Sequence, residues 1–308
     1  MDLTVAADAG LWNGLALPPD ATASPDAVVI GVPFEGGAGG AGGASLGPAR
    51  VRELSRRVKT TDRHGRDASG VRLRDLGDVP TWRFDLPRSV AHIREVYGEV
   101  FRDTTVPVLT YGGDHSVTYP IVSAAGAGRQ LGLVWFDAHP DVLDGYQGST
   151  VSHGSPLRRI IEDGVVAPEN VLLVGTRAYD DGEAGYIEKK GIREVRAAHF
   201  AADPQRARDA YRRHLAEIAA RVGHFYATLD IDVLDASCVP GTGTPVAGGF
   251  GTGELLGLLE ELPEPVIGYD IVEFAPAHDV GGMTGHAVMA VTTAYFARLA
   301  AAKHDARA

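Results

Sequence analysis

Three short stretches of this 308-residue chain concentrate residue types that bind metal ions. In "WFDAHPD", Asp137, His139 and Asp141 occupy alternate positions behind an apolar run. Along an extended chain such positions project to one side, and Pro140 biases His139 away from the helical region. Two carboxylates and an imidazole would then converge, a ligand set suited to a divalent cation. "TLDIDVLD" repeats the spacing with Asp230 and Asp232, and "YGGDHS" adds His115 after Asp114. Each stretch alone is also compatible with a polar strand end. Together they offer six donors, more than one closed site needs, and their four carboxylates bring a charge that two divalent cations would cancel. This points to a binuclear centre, with metals about 3.5–4 Å apart and a water between them as nucleophile. Oxygen-rich donors with two imidazoles and no thiol suit two Mn²⁺ per chain better than a structural zinc. Ni²⁺, Co²⁺ and Fe²⁺ stay open as alternatives.

The elements that must position these residues alternate between strand and helix. Strands are predicted at 27–32, 71–77, 106–112, 131–137, 170–176, 224–230 and 265–273; several are apolar on both alternating faces, as buried parallel strands are. Helical patterns are predicted at 47–58, with Val51, Leu54 and Val58 on one face, and at 86–101, 203–222, 252–262 and about 286–301. The alternation predicts an α/β fold, a three-layer α/β/α arrangement around a mainly parallel central sheet. With no linker in sight, a single domain over 1–308 is expected, with 1–25 irregular. Each of the three polar stretches falls at the carboxyl end of a predicted strand. Those ends share one edge of a parallel sheet, where ligands of open α/β proteins bind.

Composition narrows the partners. The formal charge of −11 argues against nucleic acid as a partner, because phosphate binding wants a basic face. A single cysteine, Cys238, leaves no intramolecular disulfide. The opening residues lack a basic start and a long apolar run, and nowhere do about 18 apolar residues run together, so no signal peptide and no membrane span are expected. A cytoplasmic location is the corresponding expectation. The glycine run at 36–45 contains Gly37, Gly39 and Gly42 in a GxGxxG pattern. A dinucleotide fingerprint should open its helix within the glycines; here the helix signal waits for Pro48, so a flexible loop at the sheet's edge is the preferred reading.

"GGDHS", "WFDAHPD", "SHGSPLRR", "LDIDVLD", "PGTGTP" and "DIVEFAP", in this order over roughly residues 27–300, resemble the ureohydrolase (arginase/agmatinase) family. "LGPARVREL", "SHGSPLRRIIEDGVV" and "VPGTGTPVAGG" bring the likeness closer to the agmatinase branch. The resemblance implies an arginase-like fold in which His115 and Asp141 bind one metal, His139 and Asp232 the other, and Asp137 and Asp230 bridge them. By the same resemblance His153 is a mobile proton-transfer residue and Glu273 holds the substrate guanidinium. Asp141 could take the proton of the attacking hydroxide, and the products would be urea and a primary amine. Trimers or hexamers are common among the relatives, so a homo-oligomer is expected by analogy.

The substrate is less constrained. Loops 35–47, 142–152 and 178–185 are expected to choose its tail, and their acids, Asp144, Asp180, Asp181 and Glu183, favour a distal ammonium such as that of agmatine. Asp144 is the candidate tail contact, and Arg177 is read as structural. Guanidinobutyrate, arginine, free guanidine or a guanidino group on a secondary metabolite are alternatives, as is formimidoyl or amide hydrolysis at the same site. From other classes, a catalytically silent relative or a nucleotide-dependent oxidoreductase using the glycine run would be told apart by metal content.

Overall fold

The computed structural model describes Leu3 and residues 10–305. Among them, eight strands form one sheet: β1 Ala27–Gly31, β2 Leu73–Asp78, β3 Val108–Tyr111, β4 Leu131–Phe136, β5 Val171–Val174, β6 Arg193–Val195, β7 His224–Asp230 and β8 Val266–Val272. Their order is β2-β1-β3-β8-β7-β4-β5-β6, and every pairing is parallel. The sheet expected to be mainly parallel is parallel throughout.

The inner strands are apolar on both faces because both are covered. Val28, Ile30, Leu133, Trp135, Val171 and Leu173 enter one core, whereas Ala27, Val29, Val134, Phe136, Leu172 and Val174 enter the other. Alternation of side chains along each strand produces the division. Nine helices are described: α1 Gly47–Ser55, α2 Leu86–Asp103, α3 Thr118–Ala125, α4 Pro156–Glu162, α5 Glu183–Lys190, α6 Ala197–Ala202, α7 Pro204–Ala219, α8 Thr252–Leu259 and α9 Met283–Asp305. Ile93 and Val96 of α2, Ile121 of α3, Leu157 of α4 and Ile187 of α5 close the first core. Val51 of α1, Phe200 of α6, Tyr211 of α7, Leu255 of α8 and Val288 of α9 close the second. These are the three layers, helix on sheet on helix.

Sequence periodicity misses five elements, all short. β6 has three residues at the sheet edge, with only Val195 buried. α3 to α6 run for six to eight residues, about two turns, too few for a 3.6-residue repeat to declare itself. Of the segment 1–25, read above as irregular, residues 1, 2 and 4–9 lie outside the described residues. Leu11–Gly14 form a 3₁₀ turn that sinks Trp12 into the core, where its N–H donates to Ser55 Oγ (3.0 Å) and its indole to Asp75 (2.9 Å). No helix among the described residues is long and apolar enough to cross a membrane.

β3, β8, β7 and β4 are neighbours in the middle of the sheet. Their registers set Tyr111 beside Ile271, Asp230 beside Val272 and Phe136 beside Leu229. The four carboxyl ends are therefore level, and whatever follows them in sequence meets at one rim.

Candidate metal centre

Each central strand hands a polar residue to that rim. After β3, Gly112 and Gly113 lead to His115, which opens a 3₁₀ turn capped by the Asp114 carboxylate (Ser116 N–H, 3.0 Å). A Cβ at Gly113 would lie 1.7 Å from the Phe34 carbonyl oxygen, so only glycine lets the chain pass there. β4 delivers Asp137, β7 delivers Asp230 and then Asp232, and β8 delivers Glu273. Asp141 (φ +54°) and Glu273 (φ +63°) are left-handed non-glycine residues, a conformation that persists only where surrounding structure holds it and that gathers at functional sites.

The six expected ligands are brought together. His115 Nδ1 lies 3.0 Å from Asp137 Oδ2, 3.0 Å from Asp141 Oδ2 and 3.4 Å from Asp230 Oδ2. His139 Nδ1 lies 3.4 Å from Asp137 Oδ1 and 3.2 Å from Asp232 Oδ2. Two clusters with metal-ligating spacing result, His115–Asp137–Asp141 and Asp137–His139–Asp232, with Asp137 common to both.

The donors fit a pair of cations on a specific observation. Three carboxylates surround the buried His115 Nδ1, yet it makes no hydrogen bond with any of them. Atoms that share a metal ion meet in this way, aimed at a common point rather than at each other. The opposite ring nitrogen, Nε2, is 2.9 Å from Thr228 Oγ1, whose hydroxyl donates to Asp270. That chain assigns the proton to Nε2 and leaves the Nδ1 lone pair free for a cation, as outer partners of metal-binding histidines commonly do.

Electrostatics point the same way. Burial and the Asp137 charge push Asp141 up to about 7; burial with Asp232 and Asp137 raises Asp230 well above the carboxylate range. Burial opposes charging of His139, but hydrogen bonding and attraction to Asp137 and Asp232 prevail and lift it to about 12. His115 is likewise raised, against burial, by Asp137, Asp141 and Asp230. A rim that draws protons onto its imidazoles this strongly has negative charge in excess, which cations would neutralise.

The other expected residues divide. Glu273 is buried; its Oε1 accepts the His115 backbone N–H (2.8 Å), and burial followed by the Asp114 charge raises its carboxyl well above the usual range. His153 faces it, Nδ1 3.9 Å from Glu273 Oε1, and burial together with the His139 and His115 charges lowers its pKa. Both line a cavity of about 190 Å³ above the clusters. Gly39 and Gly40, Leu143 and Tyr146, and Asp180 and Glu183 reach that cavity, so each of the three expected loops contributes to its wall. Asp144 does not reach it. It is exposed and turned outward, paired with Arg158 (3.0 Å) and Arg159 (3.7 Å) of α4, two cations that hold it away from the rim. Glu183 is tied to its own scaffold: its carboxylate accepts the Val142 (3.0 Å) and Asp180 (2.9 Å) N–H groups, and burial raises it to about 7. Arg177 donates to the carbonyls of Asp232, Leu234, Val246 and other residues around that turn, the structural part expected of it.

Sequence spacing did not reveal the supports of the ligands. Trp135 stacks on the His115 ring (centroids 4.3 Å apart) and donates its indole N–H to Asp137 (3.0 Å); Thr244 donates to Asp232 (3.2 Å). Asp270, fully buried, also accepts from Tyr226 (2.9 Å) and Thr118 (3.0 Å). One signal was available: an aspartate inside the apolar run of β8 must find buried donors.

Residues 25–297 match the model of the arginase family. The chain is similar to guanidinopropionase of Pseudomonas aeruginosa, 38% identical over 83% of this chain and 81% of that protein. It is also similar to the mitochondrial agmatinase of Gallus gallus, 33% identical over 91% and 83% respectively. The crystal structure of formimidoylglutamase from Bacillus subtilis superimposes with a TM-score of 0.86, covering 93% of this chain and 90% of that one at 24% identity, a likeness of fold.

Proposed function

The chain belongs to the arginase family, hydrolases of guanidino and amidino C–N bonds, and from that premise we propose that it hydrolyses the guanidino group of an agmatine-like substrate to urea and a primary amine. The observation that carries the proposal is His115 Nδ1 set 3.0–3.4 Å from three carboxylates with no hydrogen bond to any, beside a second cluster sharing Asp137. His115 and Asp141 would hold one divalent cation, His139 and Asp232 the other, with Asp137 and Asp230 between them; Mn²⁺ is the first choice on donor chemistry. When bound, the cations supply the Lewis acidity that makes water a competent nucleophile at neutral pH.

The protein's own groups do the rest. Glu273 keeps one oxygen on the His115 N–H and turns the other to the substrate. A guanidinium arriving there restores the charge that burial disfavours, and a charge-assisted hydrogen bond fixes its plane. Water adds its oxygen to the guanidino carbon, Asp141 accepts a proton from it and delivers that proton to the tail nitrogen, and the bond from the carbon to that nitrogen breaks. His153, whose pKa burial lowers, relays the proton left on that oxygen to the freed amine. The atoms balance as guanidinium plus water giving urea plus ammonium.

The tail assignment rests on charge. Asp180 lines the cavity, with Glu183 tied behind it to the Val142 and Asp180 N–H groups, and no lysine or arginine is among its described lining residues. A distal ammonium suits such a wall better than a carboxylate. A guanidino acid is the second reading, favoured by the 38% identity to guanidinopropionase. Urea release by Mn²⁺-loaded protein from agmatine, 3-guanidinopropionate, 4-guanidinobutyrate and arginine tests both. Agmatine is expected to give the highest kcat/KM; a preference for 3-guanidinopropionate would replace the first reading by the second, and no urea from any of them would remove both. The proposal includes one polypeptide domain and a trimer or hexamer, which light scattering would check.

A further inference from the structure

We infer that the glycine-rich loop between β1 and α1 is a positioning device for His153, with Gly39 as the residue through which it acts. The inference rests on the proton-transfer role proposed for His153. The loop is fastened along its length. Gly37 N–H donates to the buried Asp114 carboxylate (2.8 Å), and Gly37 C=O accepts the His153 backbone N–H (2.9 Å). Gly43 N–H donates to Glu35 (2.8 Å), and Gly42 C=O lies 3.0 Å from His278 Nε2. The loop thus holds the His153 backbone from Gly37 and lays Gly39 against its ring.

Space rather than conformation explains the glycine. The φ of Gly39 lies outside the left-handed range, so no left-handed turn calls for glycine there. A Cβ there would fall 2.8 Å from His153 Nε2 and 2.6 Å from Tyr146 Cε1. The Tyr146 ring meets the imidazole edge-on, centroids 5.9 Å apart. His153 is therefore walled by Gly39 and Tyr146 at its Nε2 end, and this sets Nδ1 opposite Glu273 at 3.9 Å. A methyl group at position 39 pushes the Nε2 end and turns Nδ1 from the site. This gives the glycine run a purpose without a nucleotide. In keeping with that, no α-helix opens within the run; a 3₁₀ turn over Ala44–Leu46 closes it and α1 begins at Gly47.

The test uses the metal-loaded full chain. Gly39→Ala is expected to lower kcat about tenfold or more, part of the 10²–10⁴ that a general acid–base group supplies, with KM within about threefold of the parent. Metal content and thermal midpoint should match the parent, and added imidazole should restore part of kcat in both Gly39→Ala and His153→Ala. In a Tyr146→Ala background the Cβ has room to move, so the same substitution should lower kcat less than about threefold, a coupling read by the double-mutant cycle. Gly98→Ala, on a helix face with nothing near its Cβ, is the control for glycine replacement as such. Unchanged kcat in Gly39→Ala beside an impaired His153→Ala overturns the positioning role. So does a loss that imidazole does not relieve and that persists with Tyr146 removed. If Gly39→Ala alone fails to fold, the double variant decides by the same criterion. Wild-type kcat in His153→Ala instead overturns the role of His153 itself.

Discussion

Glu273 combines a left-handed backbone, one carboxylate oxygen fixed by the His115 N–H, and a carboxyl that burial drives towards neutrality. Glu273 is not itself among the expected cation ligands and meets them through the His115 backbone N–H alone, so its removal tests substrate handling beside metal binding. Glu273→Ala is expected to keep both metals and to lose about 10²-fold or more in kcat/KM for guanidino substrates, read by metal analysis beside urea release. Asp144 behaves oppositely. Because it is 82% exposed and paired to Arg158, Asp144→Asn is expected to change kcat/KM by less than about twofold for amine-tailed and carboxylate-tailed substrates alike, as for other exposed pairs. The contrast explains what single residues reveal in a sequence. Asp137, His139 and Asp141, or Asp230 and Asp232, are legible because a spacing of two on extended chain fixes which way side chains point. An acid in a loop carries no such direction, and Asp144 turns to the nearest arginines. Thr228 was equally hidden: a threonine in a strand reads as an ordinary β-former, and only the folded sheet puts its hydroxyl on His115 Nε2.

Helix α1 shows why element patterns see half of an interface. Its apolar positions Val51 and Leu54 were legible, but Arg52 beside them was not, since an arginine between apolar residues reads as exposed. It is buried, donating through Nε to Asp75 (2.9 Å), through Nη1 to Asp78 (2.5 Å) and through Nη2 to the Gly77 carbonyl (2.8 Å). The same Asp75 receives the Trp12 indole, so one carboxylate ties the N-terminal turn and α1 to edge strand β2. Removing the cation leaves Asp75 and Asp78 without it in a poorly solvated place. Arg52→Ala is therefore expected to destabilise the protein by about 3–5 kcal/mol, the range for breaking a buried pair from one side, measured by denaturant unfolding. Arg52→Lys should recover only part of this, because an ammonium cannot reproduce the forked contacts. The long strands and helices of the sheet were legible for a related reason: burial on both faces, or one continuous stripe, writes a pattern over many residues. β6 and α3 to α6 depend on neighbours for their stability, and so few residues leave no pattern of their own.

Across the whole molecule, the sheet gathers carboxylates separated by up to about a hundred residues of sequence at one rim, in a chain already carrying a formal charge of −11. Folding without cations must bring those charges together, and the raised carboxyls measure the strain. The usual value for Asp141 is 3.8; burial and Asp137 move it to about 7. The cation-free folded state thus binds this proton more tightly than the unfolded chain does. Its contribution to stability is greatest below about pH 4 and is lost as pH rises through about 7. Cation binding runs the other way, since the ligands must be deprotonated. Chelation is therefore expected to lower the thermal midpoint strongly at pH 8 and weakly near pH 5, so that the gap between loaded and stripped protein widens with pH. At a free metal concentration a hundredfold above Kd the stabilisation is about 2.7 kcal/mol, or roughly 4 °C for a chain of this size. Calorimetry of stripped and Mn²⁺-reloaded protein across that pH range checks the sign. A gap that stayed constant or narrowed towards pH 8 would mean that the rim does not depend on cations to offset its charge, and the reading of His115, Asp137, His139, Asp141, Asp230 and Asp232 as one metal-binding unit would fail with it.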